Sequence, residues 1–189
     1  MKICVFCSSS DAVDGVYLAA AAEAGALIGK AGHTLVFGGG RVGLMGAAAR
    51  AVHENGGRVI GVIPSFMNRP GVPYLACDEI TYTEGMRERK ALMMGISDAF
   101  VALPGGFGTL DEMAELITQK QFDFVKGPLV AVNTGGFFDP LAAFFEKLYE
   151  LQFAKPGFRA TCPFVPTPSA AMEYIRHYTP PAATSKWLA

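Results

Sequence analysis

The sequence predicts an α/β fold: a doubly wound, mostly parallel Rossmann-like sheet flanked by helices. Three observations predict it. Short apolar runs alternate with longer helical patterns almost to the end of the chain. The runs are apolar along their length, as expected of parallel strands covered on both faces. Two glycine clusters, 38–40 and 105–108, follow apolar runs and precede helical patterns, at the carboxyl edge where such sheets place ligands.

The elements follow in order. Residues 2–7 read as a first strand and 16–30 as an Ala-rich helix closing at Gly32. A second strand spans 34–37, broken by Gly38-Gly39-Gly40. A helix over 43–54 is ended by Asn55-Gly56-Gly57. Residues 58–63 form a third strand, stopped by Pro64. The segment 65–77 carries two prolines and no clear period, so it reads as a loop. Strand 79–83, helix 85–95, strand 99–103, helix 109–122 and strand 129–133 come next. Asp139-Pro140 is a good N-cap and first-turn pair for a helix reaching about residue 151. A short helix over 169–177 packs back. Residues 1–178 are expected to form a single nucleotide-binding domain, and 179–189 a mobile C-terminal tail.

Bulk composition narrows the class. The chain has 189 residues, 51% hydrophobic, 17% charged, with a net charge of −1. No basic block is available to neutralise a nucleic-acid backbone. Mean hydropathy is +0.29, yet no apolar run is long enough to span a bilayer. The first residues carry one lysine and too short an apolar stretch for a signal peptide. Cys4 and Cys7 form a C-x-x-C. Redox pairs of that kind open a helix, whereas these lie along a strand, where residues three apart point to opposite faces. No His cluster completes a zinc set with them. Buried, reduced cysteines and a cytoplasmic location are expected.

The stretch Pro104-Gly105-Gly106-Phe107-Gly108-Thr109-Leu110-Asp111-Glu112 carries the most chemistry. Strand, glycine turn and helix start make a phosphate cradle. Glycines let backbone N–H groups approach an anion, and the positive end of the helix holds it. Thr109 adds a hydroxyl hydrogen bond or caps the helix. Glu112 would repel a phosphate, so it faces another part of the ligand, where cationic character develops. Asp111 fits simple stabilisation of a first helical turn, and Glu112 and Glu115 share a helix face.

Gly38-Gly39-Gly40-Arg41-Val42-Gly43 fits G-x-G-x-x-G. It follows the second strand rather than the first, and the third strand ends without the acid that would hold a ribose hydroxyl, so NAD binding is not expected. Two readings stay open: a turn that binds a nucleotide phosphate or lines a pocket, and glycines that only permit a sharp bend. Arg87, Glu88, Arg89 and Lys90 open the helix before the Pro104 strand and point in successive directions, so not all face the cleft. Ser8-Ser9-Ser10 ends the first strand and can bond a ligand or merely turn the chain. His33, His53 and His177 are scattered and do not form a catalytic set.

Three segments together, Gly38-Gly39-Gly40 through Gly43-Leu44-Met45-Gly46, Met86-x-x-Arg89-Lys90 and Pro104-Gly105-Gly106-x-Gly108-Thr109-x-x-Glu112, resemble the LONELY GUY family of cytokinin riboside 5′-monophosphate phosphoribohydrolases, long labelled "possible lysine decarboxylase". The resemblance runs from Lys2 to about Ile175. It implies hydrolysis of the N-glycosidic bond of an adenosine-type 5′-monophosphate to free base and ribose 5-phosphate. It places Arg89 and Glu112 as the catalytic pair. Gly105, Gly106, Phe107, Gly108 and Thr109 fall on its phosphate loop, and Lys90, Thr118, Gly39, Gly40 and Ser8 at substrate-side positions. It implies a homodimer with the active site near the subunit interface and needs no cofactor and no metal. A non-catalytic cofactor carrier of the same fold is the alternative. Lysine decarboxylation would require a PLP-binding lysine and its supporting site, and none is apparent. Where plant-like members carry Met-Pro-Arg-Glu, this chain has Met67-Asn68-Arg69-Pro70, and where many have Thr-Trp it has Thr118-Gln119. These departures leave open whether the base is adenine or an N6-prenylated adenine.

Overall fold

A computed structural model describes residues 1–180. Strands β1 (Lys2–Phe6), β2 (Thr34–Phe37), β3 (Arg58–Pro64), β4 (Glu79–Thr83), β5 (Ala99–Ala102), β6 (Leu129–Val132) and β7 (Phe164–Val165) form one sheet in the order β4-β3-β2-β1-β5-β6-β7. Every pairing is parallel. The helices are α1 (Gly15–Lys30), α2 (Gly43–Glu54), α3 (Met86–Gly95), α4 (Phe107–Gln121), α5 (Asp139–Glu150) and α6 (Pro168–Arg176). The chain thus has the doubly wound architecture read from the sequence. From the central β1 it runs outward through β2, β3 and β4, then returns to β5 on the other side of β1.

The two faces of the sheet bury separate cores. Ile3, Val5, Leu35, Phe37, Val101 and Val130 point toward α1, α2 and α6. Cys4, Phe6, Val36, Ile60, Phe100 and Ala131 point the other way, against Met93 and Met94 of α3 and Met113 and Leu116 of α4. This explains the unbroken apolar strands: period two places residues on both faces, and helices cover both. Cys7 joins the first core and Cys4 the second, as their spacing predicts.

Helix ends follow sequence punctuation. Gly32 (φ +67°) closes α1 and Gly56 (φ +77°) closes α2, left-handed positions that favour glycine. Asp14 accepts a hydrogen bond from Val16 N at the start of α1, and Thr167 does the same for Ala170 N at the start of α6.

Helices α1 and α2 cross at close range because their contact is made of small residues. A Cβ on Gly25 would stand 2.2 Å from the Ala48 carbonyl oxygen, and one on Gly29 2.6 Å from that of Val52. Both obstacles are backbone and cannot rotate away. Gly25→Ala is therefore expected to cost about 1–3 kcal/mol of stability by forcing the helices apart, read as a lowered midpoint in urea unfolding; an unchanged midpoint would show that the crossing is pliable.

Several features of the structure differ from the sequence reading, Asp139 among them, which is the first residue of α5 while Phe138 is its N-cap. Helix α4 begins at Phe107, not Thr109, because the glycine turn itself supplies the N-cap, Gly106. A turn of 3-10 helix spans Ser65–Met67 within the expected loop. Strand β7 was not expected: it has two residues between Pro163 and Pro166, and its ladder bonds run from Ala131 N to Pro163 O and from Asn133 N to Val165 O. Prolines lack the N–H but keep the acceptor, so they are tolerated at an edge strand. The C-terminal tail expected over 179–189 falls, from 181 onward, outside the described residues.

Candidate active site

The site lies at the carboxyl ends of β1 and β5, where the strand order reverses. Ser8 N donates to Pro104 O (3.2 Å) and Leu103 N to Phe6 O (2.9 Å), so the two loops leave the sheet side by side. The Pro104–Gly106 turn delivers the chain into α4. No side chain caps that helix, and its first N–H groups have no acceptor within the helix. Thr109 is the third residue of α4 and does not cap it, correcting one of the two roles foreseen for it. Its hydroxyl lies over Gly105, where a Cβ would sit 2.1 Å from Oγ1 and 3.1 Å from Ser8 N. A side chain at Gly105 would fill the cradle. Nothing stands within 4 Å of a Cβ at Gly106 or Gly108, which are open to the outside. Phe107 is 91% exposed beside them.

Arg89 on α3 meets Glu112, the sixth residue of the α4 helix that this turn opens. Arg89 Nη1 donates to Glu112 Oε1 at 3.0 Å, and Arg89 Nε to Val62 O at 3.1 Å. Both residues are buried, at 6% and 3% exposure. The family resemblance named the two as a catalytic pair; the structure has their side chains bonded to one another. Burial raises the Glu112 carboxyl to about 6, with the Arg89 charge pulling it down and the Asp111 charge adding to the rise. The group is thus ionised at neutral pH yet poised near it. Burial, and next the Glu112 charge, also raise the Cys4 and Cys7 thiols, so neither is an available thiolate.

Gly38 is the hidden member of this cluster. A Cβ there would lie 1.8 Å from Arg89 Nη2 and 3.0 Å from its Cζ. The guanidinium thus passes across the backbone where a side chain would otherwise be. Of the two readings left open for the Gly38–Gly40 turn, the sharp bend fits the observed bonding: Gly39 (φ +75°) backs onto Ile63, its carbonyl accepts Tyr74 N (2.8 Å), and Gly40 bridges to Pro73. Gly43 (φ +61°) lets α2 start against Ser9 and Ser10, where a Cβ would meet backbone at 2.6 Å.

Other expected site residues stand elsewhere. Lys90 Nζ contacts Asp111 Oδ2 (2.8 Å) and Glu115 Oε2 (2.6 Å), which raise its pKa, so its charge is engaged with α4. Glu112 and Glu115 nonetheless share the α3-facing side of α4, one with Arg89 and the other with Lys90. Thr118 lies on the exposed side of α4 with its hydroxyl donating to Ala114 O at 2.9 Å, about 13 Å along the helix from Thr109. Ser8 does line the site. With Val13, Tyr17, Gly105, Gly106 and Phe137 it borders a cavity of about 250 Å³. Tyr17 and Phe137 pack edge to face there, centroids 5.7 Å apart. Sequence reasoning gave Phe137 no role and missed Tyr17. Nothing local in the sequence marks either as a pocket residue.

The model of the family described as "possible lysine decarboxylase" matches residues 45–175. A probable cytokinin riboside 5′-monophosphate phosphoribohydrolase, LOGL2 of Oryza sativa subsp. japonica, is 39% identical over 95% of this chain and 73% of its own length. The chain belongs to the LOG family. The rice enzyme LOG is 38% identical over 95% of this chain and 74% of its own. LOG3 of Arabidopsis thaliana is 37% identical over 95% and 83%. Among solved structures, the molybdenum cofactor binding protein from Rippkaea orientalis superposes with a TM-score of 0.71 at 24% identity, covering 93% of this chain and 94% of that one. The molybdenum cofactor carrier protein of Chlamydomonas reinhardtii gives 0.71 at 24%, covering 93% and 95%. These two likenesses show that the LOG family fold is shared with carriers, and no more.

Proposed function

We propose that this chain hydrolyses the N-glycosidic bond of an adenosine-type nucleoside 5′-monophosphate, N6-substituted or not, releasing the free base and ribose 5-phosphate. The observation that carries the reading is the buried Arg89–Glu112 pair, whose acid stands on the helix that the phosphate cradle opens, in a chain whose relatives are named as phosphoribohydrolases. A carrier needs a cradle but has no use for a buried acid held near neutrality.

The chemistry follows from charge. As the bond breaks, positive charge develops on the ribose and negative charge on the departing base. The phosphate is bound by the unpaired N–H groups at the start of α4. Its binding energy holds the ribose over Glu112. The Glu112 carboxylate stabilises the oxocarbenium-like sugar or orients the attacking water. Arg89 keeps that carboxylate ionised and aimed. Its third nitrogen, Nη2, lies against Gly38.

Two further readings belong to the same proposal. The chain works as a homodimer: Phe107 and Leu110, 91% and 42% exposed beside the cradle, are supporting observations, and a second copy would cover the exposed side of α4 where Thr118 lies. It acts in the cytoplasm, which its four free cysteines favour. The test is incubation with AMP, isopentenyladenosine 5′-monophosphate and other nucleotides, with free base separated by chromatography. Stoichiometric base and ribose 5-phosphate from at least one adenosine-type monophosphate are expected. Tight nucleotide binding without base release would point to a carrier instead.

A further inference from the structure

A second cavity, about 490 Å³, opens on the other side of the β1–α1 loop. It shares no lining residue with the one beside Gly105. Its walls include Asp11, Arg41, Arg50, Tyr74 and Leu75. Among the described residues neither Arg41 nor Arg50 is in an ion pair. Asp11 is already engaged, its Oδ1 accepting Gly43 N at 2.6 Å. The balance of charge in the cavity is therefore positive.

The arrangement is fixed rather than incidental. Arg50 folds back along α2, and its Nη1 donates to Arg41 O at 3.1 Å. Gly46 leaves the space for this: a Cβ there would lie 1.9 Å from Arg41 O and 2.8 Å from Arg50 Nη1. The opposite wall is fixed too. Asp78 Oδ2 accepts Val59 N (2.8 Å) and pairs with His53 Nε2 (3.0 Å), and His53 Nδ1 meets the Tyr74 hydroxyl at 3.0 Å. The Val59 N–H and then His53 hold Asp78 below its ordinary pKa, so it only accepts. A proton therefore sits on His53 Nε2, and Nδ1 shares a hydrogen bond with the Tyr74 hydroxyl. That chain engages the hydroxyl and locks the Tyr74 ring, which packs against Phe37.

We propose that this cavity is a second small-molecule site that takes an organic phosphate, its phosphate met by the Arg41 and Arg50 guanidinium groups and its flat or apolar body lying against Pro73, Tyr74 and Leu75. Guanidinium forks suit phosphate oxygens in pairs, and the volume exceeds what a bare anion needs. Binding is its role: among the lining residues the one carboxylate is bonded to a backbone N–H and the one phenol to a histidine. The loop that forms it is tied to the active-site turn through Arg41 N to Val72 O and Tyr74 N to Gly39 O, so occupancy is felt one residue from Gly38.

The experiment is calorimetric titration with phenyl phosphate, which has no glycosidic bond to lose. Counting sites rests on the proposed phosphate loop being the first of them, so Gly106→Asp, which puts a carboxylate into that cradle at a position open to it, is titrated alongside. Two equivalents per chain are expected for the wild type, one for R41A/R50A, one for Gly106→Asp and none for the combined variant. Both arginines are exposed, and circular dichroism confirms folding. A single wild-type equivalent that Gly106→Asp removes overturns the second site, as do two equivalents retained by R41A/R50A or no binding at all. A single equivalent removed by R41A/R50A and kept by Gly106→Asp sustains the second site and overturns the phosphate loop.

Discussion

Glu112→Gln is expected to slow base release by roughly 10²–10³-fold while the protein stays folded and still binds phosphate. The amide keeps the volume of the carboxylate, and its oxygen can still accept from Arg89, but the negative charge that meets the cationic sugar is gone. Glu112→Ala is a less clean probe. It strands Arg89, 6% exposed, as a buried charge without its partner, at a cost of roughly 3–5 kcal/mol. The pH profile is a companion test. Since burial raises the Glu112 carboxyl to about 6, wild-type kcat should fall as pH drops through that value, and the Gln variant should lose this limb. Stability runs the other way. A folded-state pKa above the ordinary 4.5 means that folding favours the proton. The contribution of this group is fully present below 4.5 and is lost as pH rises through about 6. Wild-type turnover by the Gln variant, or an acid limb that persists in it, would remove Glu112 from the chemistry.

Gly38→Ala is expected to damage activity from a residue that touches no substrate. The added methyl would sit 1.8 Å from Arg89 Nη2, so the guanidinium must leave its place. It is held there by Val62 O and Glu112 at 3.1 and 3.0 Å, and moving it breaks one or both bonds. The cost in stability is about 1–3 kcal/mol, as for other overpacked sites. The larger effect falls on kcat, because Glu112 loses the partner that aims it, whereas the phosphate cradle and hence KM are nearly spared. An Arg89→Ala/Gly38→Ala double variant separates this from general damage: with the guanidinium absent, the methyl should add almost nothing to the loss. If Gly38→Ala alone keeps full kcat, the guanidinium is more mobile than its contacts imply.

The two halves of the site were legible to different degrees. The phosphate loop is written in consecutive residues: an apolar strand, two glycines and a helix start leave little freedom over what the backbone N–H groups do. Glu112 was singled out as an acid too close to that loop, Arg89 stood only within the charged run 87–90, and the family resemblance alone named the two as a pair. Their contact was not legible, because they are 23 residues apart on different helices and nothing in either segment names the other. The same holds for Tyr74, His53 and Asp78, 21 and 25 residues apart along the chain. Lys90 shows the same dependence: its neighbour Arg89 turns inward while it turns to α4, and one residue of helix rotation sends the two to different partners.

The sequence by itself determined the parallel layered sheet, the places where helices end and the edge at which a ligand sits. These follow from apolar periodicity and from glycines, which act over a few residues. Only the tertiary structure decided that Glu112 is buried and raised toward neutrality, that Gly38 exists to let a guanidinium pass, and that, among the described residues, two arginines of a second cavity stand outside any ion pair. Desolvation and steric exclusion depend on what the rest of the chain brings alongside, and that is set by sheet order and helix crossing, not by neighbours in sequence.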